Sequence, residues 1–259
     1  MNRFKAVVFD WAGTMIDFGS FAPMGAFVEA FRHFGVEVSI DEARRPMGSP
    51  KREHIAAMLA DPRISARWQA THGSLPDSAQ IDRLFEVFVP INERVVAQYT
   101  DLVPGAKAAV DALRTMGMKI GSTTGYTRSI MERILPAAAA QGYVPDNLVC
   151  ADDLAQTRPG PLAMYQCLID LLVHPPQAVI KVDDTAPGIA EGSTAGCVTV
   201  GVLLSGNTCG RTVAEVQALS AGELQEIRER AGKILRDAGA DHLIDTVADL
   251  PALVHALNA

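Results

Sequence analysis

No two of the four cysteines form a Cys-x-x-Cys pair. Cys150, Cys167, Cys197 and Cys209 stand singly, three of them in or beside apolar patterns, and read as buried reduced thiols rather than as disulfides or zinc ligands. Excess positive charge is also missing: a net charge of −7 argues against nucleic acid or an anionic membrane surface as partner. No uninterrupted apolar run reaches transmembrane length, and the first apolar segment is broken by Asp10 too early for a signal peptide, so the expected compartment is the cytoplasm. Internal repeats and low-complexity tracts are absent as well. What remains is a chain of 259 residues, 48% hydrophobic, long enough to bury a sizeable core as one large domain or two modest ones.

Beyond residue 100 the pattern alternates. Helices are expected over 103–116, 127–140, 161–172 and 185–195, and strands over 119–123, 146–150, 178–182 and 197–202. A capping box at Ser220-x-x-Glu223 opens a charged helix to Asp237, followed by a short strand at His242-Leu243-Ile244 and a last helix. With the apolar strand at Ala6-Val7-Val8-Phe9, this alternation predicts an α/β fold: a Rossmann-like, doubly wound parallel sheet covered on both faces. Residues 20–98 break the pattern. They read as helices near 23–34, 50–59 and 78–97, the last with Ile81, Leu84, Phe85, Phe88, Ile91 and Val95 at helical spacing and a kink expected at Pro90.

Four segments carry the chemistry. Asp10-Trp11-Ala12-Gly13-Thr14 follows the first strand, and Ser122-Thr123-Thr124-Gly125 ends another in hydroxyls. Arg158-Pro159-Gly160-Pro161 presents a cation, and Val182-Asp183-Asp184-Thr185 ends a third strand in paired acids. Alone, Asp10 could equally cap a helix. In order, the four resemble the motifs of the haloacid dehalogenase superfamily: an Asp nucleophile, a Ser/Thr that binds phosphate, a Lys/Arg, and an acidic metal-binding motif. The resemblance implies a catalytic core over residues 1–19 and 99–259, with residues 20–98 inserted as an α-helical cap.

Most phosphatases of this superfamily carry a second Asp two residues after the nucleophile, where this chain has Ala12. Alanine transfers no proton, which disfavours ordinary phosphate esters and leaves leaving groups of halide or carbon. Within Met47-Gly48-Ser49-Pro50-Lys51-Arg52-Glu53-His54, Lys51 is the only lysine between Lys5 and Lys107. An amine forms a Schiff base with an aldehyde and arginine cannot. A cation at a helix N-terminus also opposes the macrodipole, which favours a neutral amine. Together with Tyr126 and Thr127, these segments resemble the branch of the superfamily that hydrolyses phosphonoacetaldehyde.

That resemblance implies phosphonoacetaldehyde as substrate, acetaldehyde and phosphate as products, Mg²⁺ as cofactor and a homodimer joined through cap helices. It assigns Asp10 as nucleophile and Lys51 as imine former. Asp10, the Ala12 carbonyl and Asp184 would hold the metal, with Thr124 and Arg158 on the phosphonyl oxygens. His54 and Tyr126 are candidates for substrate contact or proton transfer, and equally for packing. One departure stands out: the superfamily commonly places a further acid four residues after the metal-binding one, and here that position is Gly188. Rival readings are a haloacid dehalogenase, a phosphatase of relaxed specificity, or a domain that only binds phosphorylated ligands.

Overall fold

The computed structural model of the chain describes residues 3–258. The ends of the expected core range, residues 1, 2 and 259, lie outside the described residues. β1 (Ala6–Phe9) is buried over its whole length, as its unbroken apolar sequence requires of a strand covered on both faces. The chain then leaves the sheet for α1 (Ala22–His33), α2 (Ile40–Arg44), α3 (Lys51–Ala60), α4 (Pro62–His72) and α5 (Ser78–Val96). It returns through α6 (Ala106–Thr115), β2 (Lys119–Ser122), α7 (Arg128–Ala140), α8 (Leu162–Asp170), β3 (Val179–Asp183), α9 (Ala186–Thr194) and β4 (Val198–Val202). The last elements are α10 (Val213–Gln217), α11 (Ala221–Asp237), β5 (His242–Ile244) and α12 (Leu250–Asn258).

The sheet is parallel throughout, in the order β2-β1-β3-β4-β5. Phe9 stands opposite Ser122 on one side and Val182 on the other. The chain leaves β1 toward one neighbour and later returns on its other side, so the strand order reverses at β1. Open α/β sheets bind ligands beyond the carboxyl ends of the strands at such a point.

The expected strand at 146–150 is not formed; only Val149 bridges to Thr123. Side chains and backbone share the edge: Asp146 Oδ2 accepts from Ile120 N–H at 2.7 Å and Asn147 Oδ1 from Ser122 N–H at 3.4 Å, while the N–H groups of Asp146 and Val149 donate to the Ile120 and Ser122 carbonyls at 2.6 and 2.9 Å. Three further helices, α2, α4 and the five-residue α10, arise where no helix was expected; α2 and α4 lie in the inserted segment. α2 has only five residues, and α4 buries only Ile64 and Trp68, so neither shows a strong apolar period. Their caps were nonetheless written in the sequence, as the Ser39/Glu42 capping box and as Asp61 before Pro62. Pro90 sits inside α5 without ending it.

The five helices between β1 and α6 surround an apolar cluster of their own, drawn from residues 24–91 and including Phe27, Phe31, Trp68, Leu84 and Phe88. The Phe27 and Phe88 rings stack with centroids 4.3 Å apart, joining α1 to α5. Among the described residues, no helix is long and apolar enough to cross a membrane. Truncating the fully buried Phe88 to Ala should cost about 3–5 kcal/mol, since its cavity cannot fully collapse. Urea unfolding followed by circular dichroism measures this, and a loss under about 1 kcal/mol would show that the cluster is loosely packed.

Candidate active site

The carboxyl ends of three adjacent strands deliver the motif residues to one place. Asp10 follows β1, Thr123 and Thr124 follow β2, and Asp183 ends β3 with Asp184 next to it. Arg158 reaches the same point from the loop before α8 and is buried there. Its Nη2 lies 2.8 Å from Asp10 Oδ1 and 3.1 Å from Asp183 Oδ2, and its Nε 3.2 Å from Glu191 Oε2. Only Nη1, whose partner is the Gly48 carbonyl at 3.4 Å, is not tied to a carboxylate.

Three residues that the sequence reading passed over complete this cluster. Lys181 Nζ donates to Thr123 Oγ1 at 2.7 Å and lies 3.1 Å from Asp183 Oδ2 and 3.2 Å from Glu191 Oε2. The Thr123 hydroxyl in turn donates to Glu191 at 2.7 Å. A signal existed for Lys181, which interrupts the apolar run Val179-Ile180-Lys181-Val182; a lysine there must be paired to be buried. Glu191 carried a weaker one, a single acid among small and apolar residues of α9.

Oxygen atoms of Asp10, Asp183 and Asp184 lie within 4.8 Å of one another. Burial first, then repulsion from Asp183, raises the Asp10 carboxyl to about 6 despite Arg158. Burial, followed by Asp10 and Asp183, lifts Asp184 well above the usual range. Asp183 behaves differently: against the burial that opposes ionisation, Arg158 and Lys181 hold it low. Asp10, Asp183 and Glu191 share the buried cations Arg158 and Lys181, whereas Asp184 has neither at ion-pair distance among the described residues; a cation beside Asp10 and Asp184 would offset the burial and repulsion that raise both. An all-oxygen donor set suits a hard cation.

The departure at Gly188 has a steric explanation. A Cβ there would fall inside the Asp183 carboxylate, which Thr185 fixes through its backbone N–H at 3.0 Å and its hydroxyl at 2.7 Å. Asp183 occupies the space that a side chain four residues after Asp184 would need.

Facing the acids, a small pocket of about 20 Å³, roughly one or two waters, is lined by Asp10, Ala12, Met47, Lys51, Thr124 and Tyr126, with Arg158 at its wall. Lys51 comes from the first turn of α3 and is 4% exposed. Among the described residues it has no carboxylate at ion-pair distance. Its Nζ meets Met47 Sδ at 3.8 Å and the faces of Tyr126 and Phe27 at 4.9 and 5.9 Å. Burial dominates, and the amine falls to about 8. Lys181, by contrast, is bound to two carboxylates and a hydroxyl.

Tyr126 lines the pocket with its ring under Lys51, and burial keeps its phenol protonated. Thr124 also lines it, with Oγ1 accepting from Tyr126 N–H at 3.1 Å. His54 does not reach it. Its Nε2 is 2.8 Å from the Ala43 carbonyl and its ring stacks on Phe27 at 4.0 Å, which places it in the core of the helical segment, one turn behind Lys51. Of the two roles open to His54, the structure places the imidazole in packing: the Ala43 carbonyl and the Phe27 ring hold it, and it does not line the pocket. Gly48 closes the pocket from the helical side. It adopts φ +95°, and a Cβ there would lie 2.6 Å from Thr185 Cβ.

Residues 4–196 match the family model for haloacid dehalogenase-like hydrolases, and the chain belongs to that family. Within it, the chain groups with proteins named phosphonoacetaldehyde hydrolase. The one from Paraburkholderia xenovorans (strain LB400) is 50% identical over 259 residues, 100% of this chain and 97% of the relative. The one from Klebsiella pneumoniae is 47% identical over 261 residues, again 100% and 97%. The crystal structure of a phosphonoacetaldehyde hydrolase-like protein from Oleispira antarctica superposes with a TM-score of 0.97 at 44% identity, covering 99% of this chain and 93% of that one.

Two measurements check this geometry. Gly188→Ala should displace Asp183 from Arg158 and Lys181 and destabilise the protein by about 3–5 kcal/mol, because a buried ion pair is broken. An unfolding midpoint equal to wild type would show that Asp183 is not confined. The second concerns pH. With the Lys51 amine near 8, about one molecule in ten is neutral at pH 7, against fewer than one in 10³ for a free lysine. Reductive trapping of an aldehyde on Lys51 should therefore rise about tenfold per pH unit below about 8 and level off above it. A rate still climbing at about pH 10 would show an unperturbed amine.

Proposed function

We propose that this protein hydrolyses the carbon–phosphorus bond of phosphonoacetaldehyde, giving acetaldehyde and phosphate. The observation that carries the reading is the facing pair of Lys51 and Asp10: a buried amine without a carboxylate partner opposite a buried carboxylate, with Ala12 where a proton donor for an oxygen leaving group would stand. The proteins named phosphonoacetaldehyde hydrolase that match this chain end to end support it.

In the proposed reaction, neutral Lys51 adds to the aldehyde carbon and water departs, leaving a protonated imine. Asp10 then attacks phosphorus. The carbon–phosphorus bond breaks, and its electron pair moves into the iminium to give an enamine on Lys51. Protonation of the carbon and hydrolysis of the imine release acetaldehyde and free the amine, while water cleaves the aspartyl phosphate to phosphate. Arg158 and Thr124 hold the phosphonyl oxygens, the Tyr126 face supports the cationic imine, and Lys181 with Glu191 fixes Arg158 and Asp183. Asp10, the Ala12 carbonyl and Asp184, with Asp183 beside them, would hold Mg²⁺, which would supply charge neutralisation at phosphorus.

Residues 20–98 act as a cap in this reading. They supply Lys51, and the pocket between cap and core is too small for substrate unless the two separate. Four free buried thiols fit a cytoplasmic setting. A homodimer joined through cap helices is also proposed; exposed large apolar residues lie in that segment at Ile40 and Leu75, and on α8 at Leu162, Tyr165 and Ile169.

The test is phosphate release from phosphonoacetaldehyde with Lys51→Arg as the decisive variant, since arginine keeps the charge but forms no imine. Turnover should fall by about three orders of magnitude or more, as expected when covalent catalysis is lost. Borohydride added during turnover should inactivate the wild type and label the Lys51 peptide. Phosphate release without any such label would instead favour a metal-dependent phosphatase.

A further inference from the structure

We propose that Arg44 and Asn207 are positioning residues that tie the seating of the cap to the orientation of Asp184; the proposal rests on the reading of Asp184 as a metal ligand given above. Arg44 ends α2 in the cap, yet its guanidinium bonds to parts of the chain outside it. Nη1 donates to the carbonyls of Gly19 at 2.8 Å and Ser20 at 3.2 Å, in the linker between β1 and α1. The same nitrogen reaches Asn207 Oδ1 at 3.1 Å and the Asn207 carbonyl at 3.3 Å, in the loop after β4. Asn207 answers with Nδ2 to the Arg44 carbonyl at 3.2 Å.

On its other side Asn207 meets the site. Its backbone N–H donates to Asp184 Oδ2 at 2.7 Å, while the Thr14 hydroxyl takes Asp184 Oδ1 at 3.2 Å. The loop is pressed against that carboxylate: a Cβ on Gly206 would lie 2.5 Å from Asp184 Cβ. The linker is bound to the same loop, through Gly19 N–H to the Ser205 carbonyl at 2.8 Å. Asp17 closes it from the core, accepting from Phe21 N–H at 3.0 Å and Ala22 N–H at 2.9 Å. Asp17 and Ser20 adopt φ of 53° and 54°, so contacts of this kind, rather than intrinsic preference, hold the linker in place.

Groups that hydrogen-bond a ligating carboxylate fix its direction, and their loss typically costs ten- to a hundredfold in metal affinity or activity. Lifting the cap withdraws Arg44 from Asn207, and the loop that carries the Asp184 donor loses its tether to the cap, keeping those to the linker and to Gly13 through Ser205. The same closure that brings Lys51 to the substrate thereby sets Asp184. Imine formation needs only the first of these; phosphoryl transfer needs both.

The experiment compares Asn207→Ala, Arg44→Ala and Arg44→Lys with wild type in the full-length protein, by three readouts. Without substrate, Mg²⁺ raises the thermal midpoint by binding the native state. In Asn207→Ala and Arg44→Ala the Mg²⁺ concentration giving half the shift should rise about ten- to a hundredfold. In Asn207→Ala, kcat for phosphate release should fall in the same range with KM little changed, while borohydride trapping on Lys51 keeps its wild-type rate. Arg44→Lys should be intermediate, because an ammonium cannot reproduce the planar fork. Should Arg44→Ala not fold, Asn207→Ala and Arg44→Lys decide. Wild-type Mg²⁺ response and kcat in both alanine variants overturn the proposal, as does an equal loss of trapping and phosphate release in Asn207→Ala. If the wild type released no phosphate from phosphonoacetaldehyde, the functional reading would fall while the Mg²⁺ arm still decided the coupling. A wild type whose midpoint Mg²⁺ does not move overturns both.

Discussion

The guanidinium of Arg158 is the interaction on which the rest of the site depends. It sits out of water with Asp10, Asp183 and Glu191 around it, and its Nη1 touches the Gly48 carbonyl of the helical segment. A cluster of this kind is poor at stabilising a fold, because desolvation offsets most of the attraction. Its value is positional. Each carboxylate is held where a cation compels it to be, and removing Arg158 would leave Asp10 buried without its ion-pair partner and Asp183 and Glu191 sharing Lys181 alone.

The two buried lysines show how surroundings divide labour between identical groups. Lys181 donates to Thr123 and faces Asp183 and Glu191, so its charge is used structurally. Lys51 meets only a thioether and two ring faces. Aromatic faces attract an ammonium without neutralising it as a carboxylate would, and burial then lowers the amine to about 8. The same low-dielectric setting gives Asp10 a raised carboxyl, so the Asp10 carboxyl and the Lys51 amine are both tuned chiefly by burial.

Burial of that degree rests on close contact between the helical segment and the sheet. Gly48 against Thr185, and Gly125 against the Ser49 carbonyl at a would-be Cβ distance of 3.0 Å, seat the helical segment directly on the sheet. The linker shares in that seating: its backbone is bound by Asp17, Arg44 and Ser205.

By itself the sequence determined the parallel sheet, the helical insertion and the strand ends that bear Asp10, Thr124 and Asp184, because apolar periodicity and caps are local. It also singled out Lys51, through its isolation among arginines and the substitution at Ala12, as a candidate that the fold then buries in the pocket. Tertiary structure decided the rest, since pairing is a property of space. That the Asp146 and Asn147 side chains would take part of an edge beside backbone groups of their segment, or that His54 would turn toward Phe27 and Ala43, depends on neighbours distant in the chain. Gly188 was legible only as a missing acid; packing showed that Asp183 fills its space. Lys181, Glu191 and Asn207 acquire their meaning from partners that folding alone brings within hydrogen-bond reach.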